Sequence, residues 1–466
     1  MRTESRVRSQ TGAAQGCVAR SSCVATGGEN RQPAAGTPRL RAWRASLFCT
    51  NRSMRSSFFG FPSSASSFVP SSLHRCAPVA TLIAATLVAG AAAYAPAASA
   101  QVPPPAVTAR SWVLVDATSN QILASGNADE RVEPASLTKL MTAYLVFEAL
   151  QTKKISMDQV VMPSLAVRRV RNDESRMFIE AEKPVTVHDL VYGMIVQSGN
   201  DAAIALAELV GGSEAHFVEM MNTEAQRLGM KGTHYADVNG MPDPQHYTTA
   251  ADLAILSAHL IRDYPDYYNI FSVKEFTYNK IKQPNRNRLL WLDPTVDGLK
   301  TGHTEAAGYC LIASAKRPLP GVADASRRLV SVVMGEQKEH ERVQDSMKML
   351  NYGYSAYDTV RLFKANQAVQ TPRVYKGAAD TVQVGVKSDQ YITVPRGMGE
   401  KVKPQFVLND PLVAPLANGQ QVGTVQIVAD GKTLTQFPIV ALQAVPQGGI
   451  GGRIWDSVLL MFSKKK

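Results

Sequence analysis

Past residue 100 this chain has almost no cysteine: Cys17, Cys23, Cys49 and Cys76 all fall earlier, and only Cys310 follows. No intramolecular disulfide can form in that long remainder, so its stability must come from a hydrophobic core. Cys310 stands beside Leu311-Ile312 in an apolar run, the setting of a buried structural thiol. Metal-ligand spacing is missing too. The eight histidines show no His-x-x-x-His pair and no Cys-x-x-Cys occurs, so neither a metal nor another cofactor is expected. Lysine is absent from residues 1–100, which hold eleven arginines and two glutamates, a charge of +9. The whole chain carries +11, which leaves +2 for the rest and no electrostatic basis for nucleic-acid binding.

The arginine-rich part reads as a leader. His74-Arg75 precedes an alanine-rich apolar run from Pro78 to Tyr94, and Ala98-Ser99-Ala100 gives the small-x-small pattern of a signal peptidase site before Gln101. Low hydrophobicity and that ending favour a cleaved signal over a transmembrane anchor. Residues 1–53 add nothing a signal needs, so either Met54 is the start or this stretch is disordered. From Gln101 onward roughly 365 residues remain, enough for two domains.

Three short strings carry the chemistry: Ser136-Leu137-Thr138-Lys139, Ser198-Gly199-Asn200 and Lys300-Thr301-Gly302. A serine hydroxyl needs a base to act as a nucleophile near neutral pH, and a lysine three positions along a helix shares its face. Each pattern alone is weak, because Ser463 to Lys466 and Ser125-Gly126-Asn127 repeat the first two by chance. Setting separates them. Residues 112–116 and 122–124 are apolar runs around Thr118-Ser119-Asn120, which predicts a hairpin that Ser125-Gly126-Asn127 closes. After Pro134 the apolar residues take helical spacing to Leu150, placing Ser136 in a first helical turn whose free N–H groups can stabilise an oxyanion. Ser198-Gly199-Asn200 falls between two helical segments, where Asn200 or Asp201 could equally be a plain helix cap. Lys300-Thr301-Gly302 falls on the first of three strands of an antiparallel sheet, with Gly302 allowing close approach of a ligand backbone.

S-x-x-K, S-x-N and K-T-G in this order resemble the signature of penicillin-binding proteins and serine β-lactamases. The flanking text resembles low-molecular-mass D-alanyl-D-alanine carboxypeptidases: Pro134-Ala-Ser-Leu-Thr-Lys-Leu-Met-Thr142, Gln197-Ser-Gly-Asn-Asp-Ala-Ala203, Asn285-Arg-Asn287 and Val296-Asp-Gly-Leu-Lys-Thr-Gly-His-Thr304. The likeness runs from about residue 103 to the end. It implies an α+β fold: a serine β-lactamase/penicillin-binding-protein-like domain, antiparallel sheet with helical region, followed by a small all-β domain. It also implies removal of the terminal D-alanine from peptidoglycan stem peptides through an acyl-serine, with β-lactams acylating the same residue. The alternatives are an endopeptidase or weak β-lactamase on the same site, or a non-catalytic β-lactam or peptidoglycan sensor. No Glu-x-x-Leu-Asn string supplies the deacylating glutamate of class A β-lactamases, so slow acyl-enzyme turnover is expected over antibiotic hydrolysis.

Carried onto these positions, the resemblance makes Ser136 the nucleophile, Lys139 its base and Ser198 a proton relay toward the leaving amine. Asn200 would hold the substrate amide and the Lys139 region, and Lys300 would keep the local field positive so that Lys139 can be neutral when needed. The oxyanion hole would be the backbone N–H groups of Ser136 and His303. Thr301 and, on the count along Met334 to Arg342, Arg342 would take the substrate carboxylate; an exposed helix arginine is the competing reading. His246, in the proline-rich Gly240 to Thr248 stretch, resembles a residue of a loop bordering the site; contact with substrate or the deacylating water is one reading and a solvated loop residue the favoured one.

The sequence thus divides into a leader at 1–100, a catalytic domain at 101–360, a small β domain at 361–447 and a tail at 448–466. The third part alternates short strand patterns with turns and holds no catalytic cluster. In the tail, Ile454, Val458 and Met461 recur at helical spacing beside Trp455, Leu459 and Phe462, ahead of three lysines. That is too short to span a bilayer and suits peripheral attachment to a membrane surface, with a helix packed on the β domain as the alternative. The expected location is therefore the periplasmic face of the inner membrane.

Overall fold

A computed structural model describes residues 102–463, so the leader and its signal-peptide reading lie outside the described residues. Strands β1 (Ser111–Asp116) and β2 (Gln121–Gly126) form the hairpin that the apolar runs predict. Asp116 Oδ1 closes it by accepting the Thr118 N–H at 2.9 Å. Three longer strands follow much later: β3 (Val296–Thr304), β4 (Gly308–Pro318) and β5 (Ser326–Glu336). All five make one antiparallel sheet in the order β2-β1-β5-β4-β3.

Alternation along the strands supplies two cores. Val113, Val115, Cys310, Ile312, Val330 and Val332 face one side, while Leu114, Leu311, Ala313, Leu329 and Val333 face the other. A sheet covered on both faces explains why these strands read as continuous apolar runs. The first face packs on α1 (Lys139–Gln151), α2 (Val187–Val196), α3 (Asn200–Gly211), α4 (Glu214–Leu228) and α5 (Ala250–Asp263). In α1 only Glu148 and Gln151 escape burial, so this helix runs through the interior rather than along the surface. Thr186, Ser213 and Thr249 cap their helices by accepting the N–H of the residue three positions on. On the second face α6 (Glu339–Ala356) lays Val343, Met349, Leu350 and Tyr352 against the sheet.

From Tyr357 the chain is β. Tyr357–Phe363 pairs with Gln390–Pro395, and a five-stranded sheet takes in Ala368–Gln370, Val384–Gly385, Lys432–Ala441, Gln421–Ala429 and Lys403–Leu408 in that order. Val382, Val384, Ile392, Val425, Ile427 and Ile439 fill its core. The two folded parts meet at a buried charge. Asp116 Oδ2 accepts from Arg327 Nε, Thr359 Oγ1 and Thr393 Oγ1, each at 2.8 Å. The last helix, α7 (Ile450–Ser463), leaves Ile450, Ile454, Trp455 and Met461 exposed while Asp456 accepts the Lys376 N–H. Among the described residues no helix is long and apolar enough to cross a membrane.

Candidate active site

Pro134 leads into a tight helical turn, Ala135–Thr138, which runs straight into α1. Ser136 therefore stands at the head of a helix and Lys139 begins its first α-helical turn. The lysine Nζ donates to Ser136 Oγ at 2.9 Å and to the carbonyl of Asn239 at 2.8 Å. Only 1% of Lys139 is exposed. Burial pulls its ammonium down from 10.5 to about 7, helped by Arg286 and opposed by Asp237, Glu174 and Asp201. Such an amine is poised to take a proton at neutral pH.

The Asn239 carbonyl is itself held in place. Asp237 accepts the backbone N–H groups of Asn239, Gly240 and Met241, folding that loop against the Ser136 turn. Gly240 has φ +89°, and a Cβ there would sit 1.8 Å from the Ala135 carbonyl oxygen, so no larger residue fits without displacing the turn. His246 lies behind it. The solvated-loop reading is wrong: His246 is 1% exposed, with Nε2 2.9 Å from Thr138 Oγ1 and Nδ1 3.7 Å from Asp237. A polar ring enters the interior here because each nitrogen faces a hydroxyl, an N–H or a carboxylate.

The second string lies in the break between α2 and α3. Ser198 adopts φ +66° and is 2% exposed, and its Oγ has no hydrogen-bond partner among the described residues. Asn200 opens α3 and donates Nδ2 to Glu174 Oε2 at 2.6 Å, leaving Oδ1 buried without a partner among the described residues. Neither Asn200 nor Asp201 acts as a plain cap: α3 has no side-chain cap hydrogen bond, and Asp201 instead gathers the N–H groups of Met177, Phe178 and Ile179 from the segment ahead of α2.

Strand β3 brings the third string alongside. Lys300 is 3% exposed and donates to the Thr301 carbonyl at 3.1 Å. Burial and then the neighbouring Lys139, Arg286 and Arg342 hold its ammonium well below the ordinary lysine range. Gly302 lines the cavity and also makes room for the backbone behind it: a Cβ there would lie 3.1 Å from the Pro134 carbonyl and 3.3 Å from Ala135 Cβ. The missing side chain lets β3 press against the Ser136 turn. His303 is exposed at the cavity and stacks on Tyr309 at 4.0 Å between centroids. Burial and Arg342 lower its imidazole.

Arg342 is not an exposed helix residue. It is 3% exposed, donates to the Gly302 carbonyl at 3.2 Å and pairs with Glu339 at 3.0 Å, while its Nε has no partner among the described residues. Ser136, Ser198, Thr301, His303, Arg286 and Arg342 line one cavity of about 320 Å³. An adjoining lobe of about 520 Å³ continues from Ser136 past Asn200, Glu174 and Met241. The three strings thus meet at one place. Arg286 and Glu174 were missed. Asn285-Arg-Asn287 did carry a signal for the first: Asn285 and Asn287 are buried scaffold, bonding Val273 and Gly298, which leaves the residue between them to face the cavity. Glu174 had none, since nothing near it in sequence marks a site. Cys310 is buried as expected, and burial pushes its thiol up to about 11.

A serine bonded to a buried, neutralisable lysine at the head of an interior helix, beside an antiparallel sheet, defines a serine acyl-transfer hydrolase. The family can be named as well. Residues 97–338 match the model for D-alanyl-D-alanine carboxypeptidases and residues 357–447 the model for the penicillin-binding protein 5 C-terminal domain, and the chain belongs to this family of low-molecular-mass penicillin-binding proteins. The D-alanyl-D-alanine carboxypeptidase DacC of Escherichia coli is 42% identical over 372 residues, which cover 78% of this chain and 91% of that one. DacA of Haemophilus influenzae is 43% identical, with 77% and 91% covered. Among solved structures, penicillin-binding protein 5 of Haemophilus influenzae superposes with a TM-score of 0.69 at 43% identity, covering 74% of this chain and all of that one. Penicillin-binding protein 6B of Escherichia coli gives 0.60 at 35% identity, with 74% and 98% covered.

Proposed function

We propose that this chain removes the terminal D-alanine from peptidoglycan stem peptides ending in D-Ala-D-Ala. The observation that carries the reading is the Ser136–Lys139 pair, 2.9 Å apart, with the buried amine brought to about 7 behind a serine that lines a cavity with Thr301, Arg286 and Arg342. Lys139 takes the Ser136 proton as Oγ bonds to the carbonyl carbon of the penultimate D-alanine. The oxyanion is met by the N–H groups of Ser136 and His303. The C–N bond then breaks, Ser198 relays a proton to the departing nitrogen, and water later cleaves the acyl-serine. Thr301 and Arg342 receive the substrate's terminal carboxylate, which favours cutting at a chain end. Penicillins carry a carboxylate beside a strained amide and acylate Ser136 in the same way.

Release of free D-alanine from a pentapeptide ending in D-Ala-D-Ala tests this, with Ser136→Ala as the control. Wild type should release it and the variant should not. A wild type that releases none yet is labelled by penicillin would reject the carboxypeptidase reading in favour of a β-lactam sensor.

We further propose that the protein lies outside the cytoplasmic membrane, attached at its surface by α7. Support comes from the exposed Ile450, Ile454, Trp455 and Met461 and from the Lys464-Lys465-Lys466 end of the sequence. Deleting residues 449–466 should move the protein from membrane to soluble fractions; unchanged fractionation would reject the attachment.

A further inference from the structure

One carboxylate in the cavity has no part in the three strings. Glu174 comes from the segment ahead of α2, and 11% of its side chain is exposed. Its two oxygens are used differently. Oε1 accepts the Arg171 N–H at 3.3 Å and lies 3.4 Å from that residue's Nε, whereas Oε2 accepts from Asn200 Nδ2 at 2.6 Å. Backbone bonds fix the same segment onto α3, from the Asn200 N–H to the Ser175 carbonyl and from Met177, Phe178 and Ile179 to Asp201. The contact with Asn200 therefore belongs to a rigid junction.

A carboxylate only accepts, so facing Glu174 the Asn200 amide has one favourable orientation, with Nδ2 toward the carboxylate. Met241 Sδ, 3.7 Å from the same nitrogen, adds a weak second acceptor. Oδ1 is thereby turned the other way, buried and without a partner among the described residues, as is Ser198 Oγ two positions earlier. Ser136 lines the cavity with Ser198 in one lobe and with Asn200 and Glu174 in the other. Lys139 places donors on Ser136 Oγ and the Asn239 carbonyl, and an ammonium has a third to place. Proton uptake from Ser136 creates that ammonium at the moment of acylation.

We propose that Glu174 is a positioning residue for acylation: it locks the Asn200 amide so that Oδ1 remains an acceptor for the ammonium that Lys139 becomes. Without the carboxylate the amide can turn over and present N–H groups to a cation. The inference rests on Ser136 being the acylated residue and Lys139 its base. Glu174 acts on Lys139 a second way, since its negative charge favours the ammonium. Removing that charge lets Lys139 lose its proton at lower pH.

The test is the rate of penicillin acylation across about pH 5 to 9 for wild type, Glu174→Ala, Glu174→Gln and each change combined with Asn200→Ala. Glu174→Ala should acylate roughly 10- to 100-fold more slowly on the plateau, the cost of a misaligned polar group. Glu174→Gln, which keeps the shape and can still accept, should recover part of that rate. Both should shift the acid limb to lower pH, which a merely structural loosening would not do. In the Asn200→Ala background, Glu174→Ala should add no more than about a twofold loss. The proposal is overturned if Glu174→Ala matches wild type, if neither variant moves the acid limb, or if the full loss persists without Asn200. A wild type that penicillin does not label at Ser136 overturns the site reading itself, and this inference with it.

Discussion

Acylation needs Lys139 neutral, and its surroundings decide how often it is. Burial first, and Arg286 after it, bring the amine from 10.5 to about 7 against the pull of Asp237. At pH 7 about half of the Lys139 population is then neutral, against roughly one part in three thousand for an unperturbed lysine. Penicillin acylation should therefore fall about tenfold per unit on the acid side of that value and level off above it. Arg286→Gln removes a cation that disfavours the ammonium, so the acid limb should move to higher pH. Stopped-flow acylation with a fluorescent penicillin reads the limb directly, and its position, rather than the plateau height, is the test. A flat profile, or a limb unmoved in Arg286→Gln, would refute the reasoning. Stability carries the same signature with its own sign. An unfolded chain holds the Lys139 proton up to about 10.5 and the folded one releases it near 7, so across that window this residue's contribution to stability rises with pH.

Arg342→Ala should lower kcat/KM for D-alanine release by roughly 10- to 100-fold, mostly through KM, the usual worth of a charged hydrogen bond; unchanged steady-state kinetics would remove it from the carboxylate site. Asp116→Ala strands the buried Arg327 and should cost about 3–5 kcal/mol in a denaturant melt, whereas Thr359→Val should cost about 1 kcal/mol. Equal effects would mean that the ion pair is not what stabilises the junction. Gly240→Ala forces a Cβ toward the Ala135 carbonyl at a φ of +89° and should destabilise by about 1–3 kcal/mol while slowing penicillin labelling, as seen by thermal melts and gel fluorescence.

Local pattern made Ser136, Lys139 and the β3 position of Lys300 legible, because helix start and strand period are short-range properties. The duplicate Ser125-Gly126-Asn127 shows the limit: it ends β2, where a Cβ on Gly126 would meet the Trp112 ring at 2.4 Å, and it serves the hairpin. Glu174 and His246 were not legible because their roles arise from contacts between distant segments. Glu174 reaches Asn200 across 26 positions, and His246 reaches Thr138 across 108. The exposed-arginine alternative for Arg342 rested on a helix pattern that does not say which face meets the sheet. That residue is buried where it reaches from α6 to the Gly302 carbonyl of β3, and the missing side chain of Gly302 lets the same strand press against the nucleophile's own turn.

The central claim is that Ser136 becomes the acyl carrier. Peptide mapping by mass spectrometry after brief exposure to penicillin tests it most directly. The penicilloyl adduct should fall on the peptide containing Ser136 and be absent in Ser136→Ala, with Lys139→Ala leaving the serine intact but unlabelled. An adduct on any other residue, or undiminished labelling of Ser136→Ala, would contradict the account.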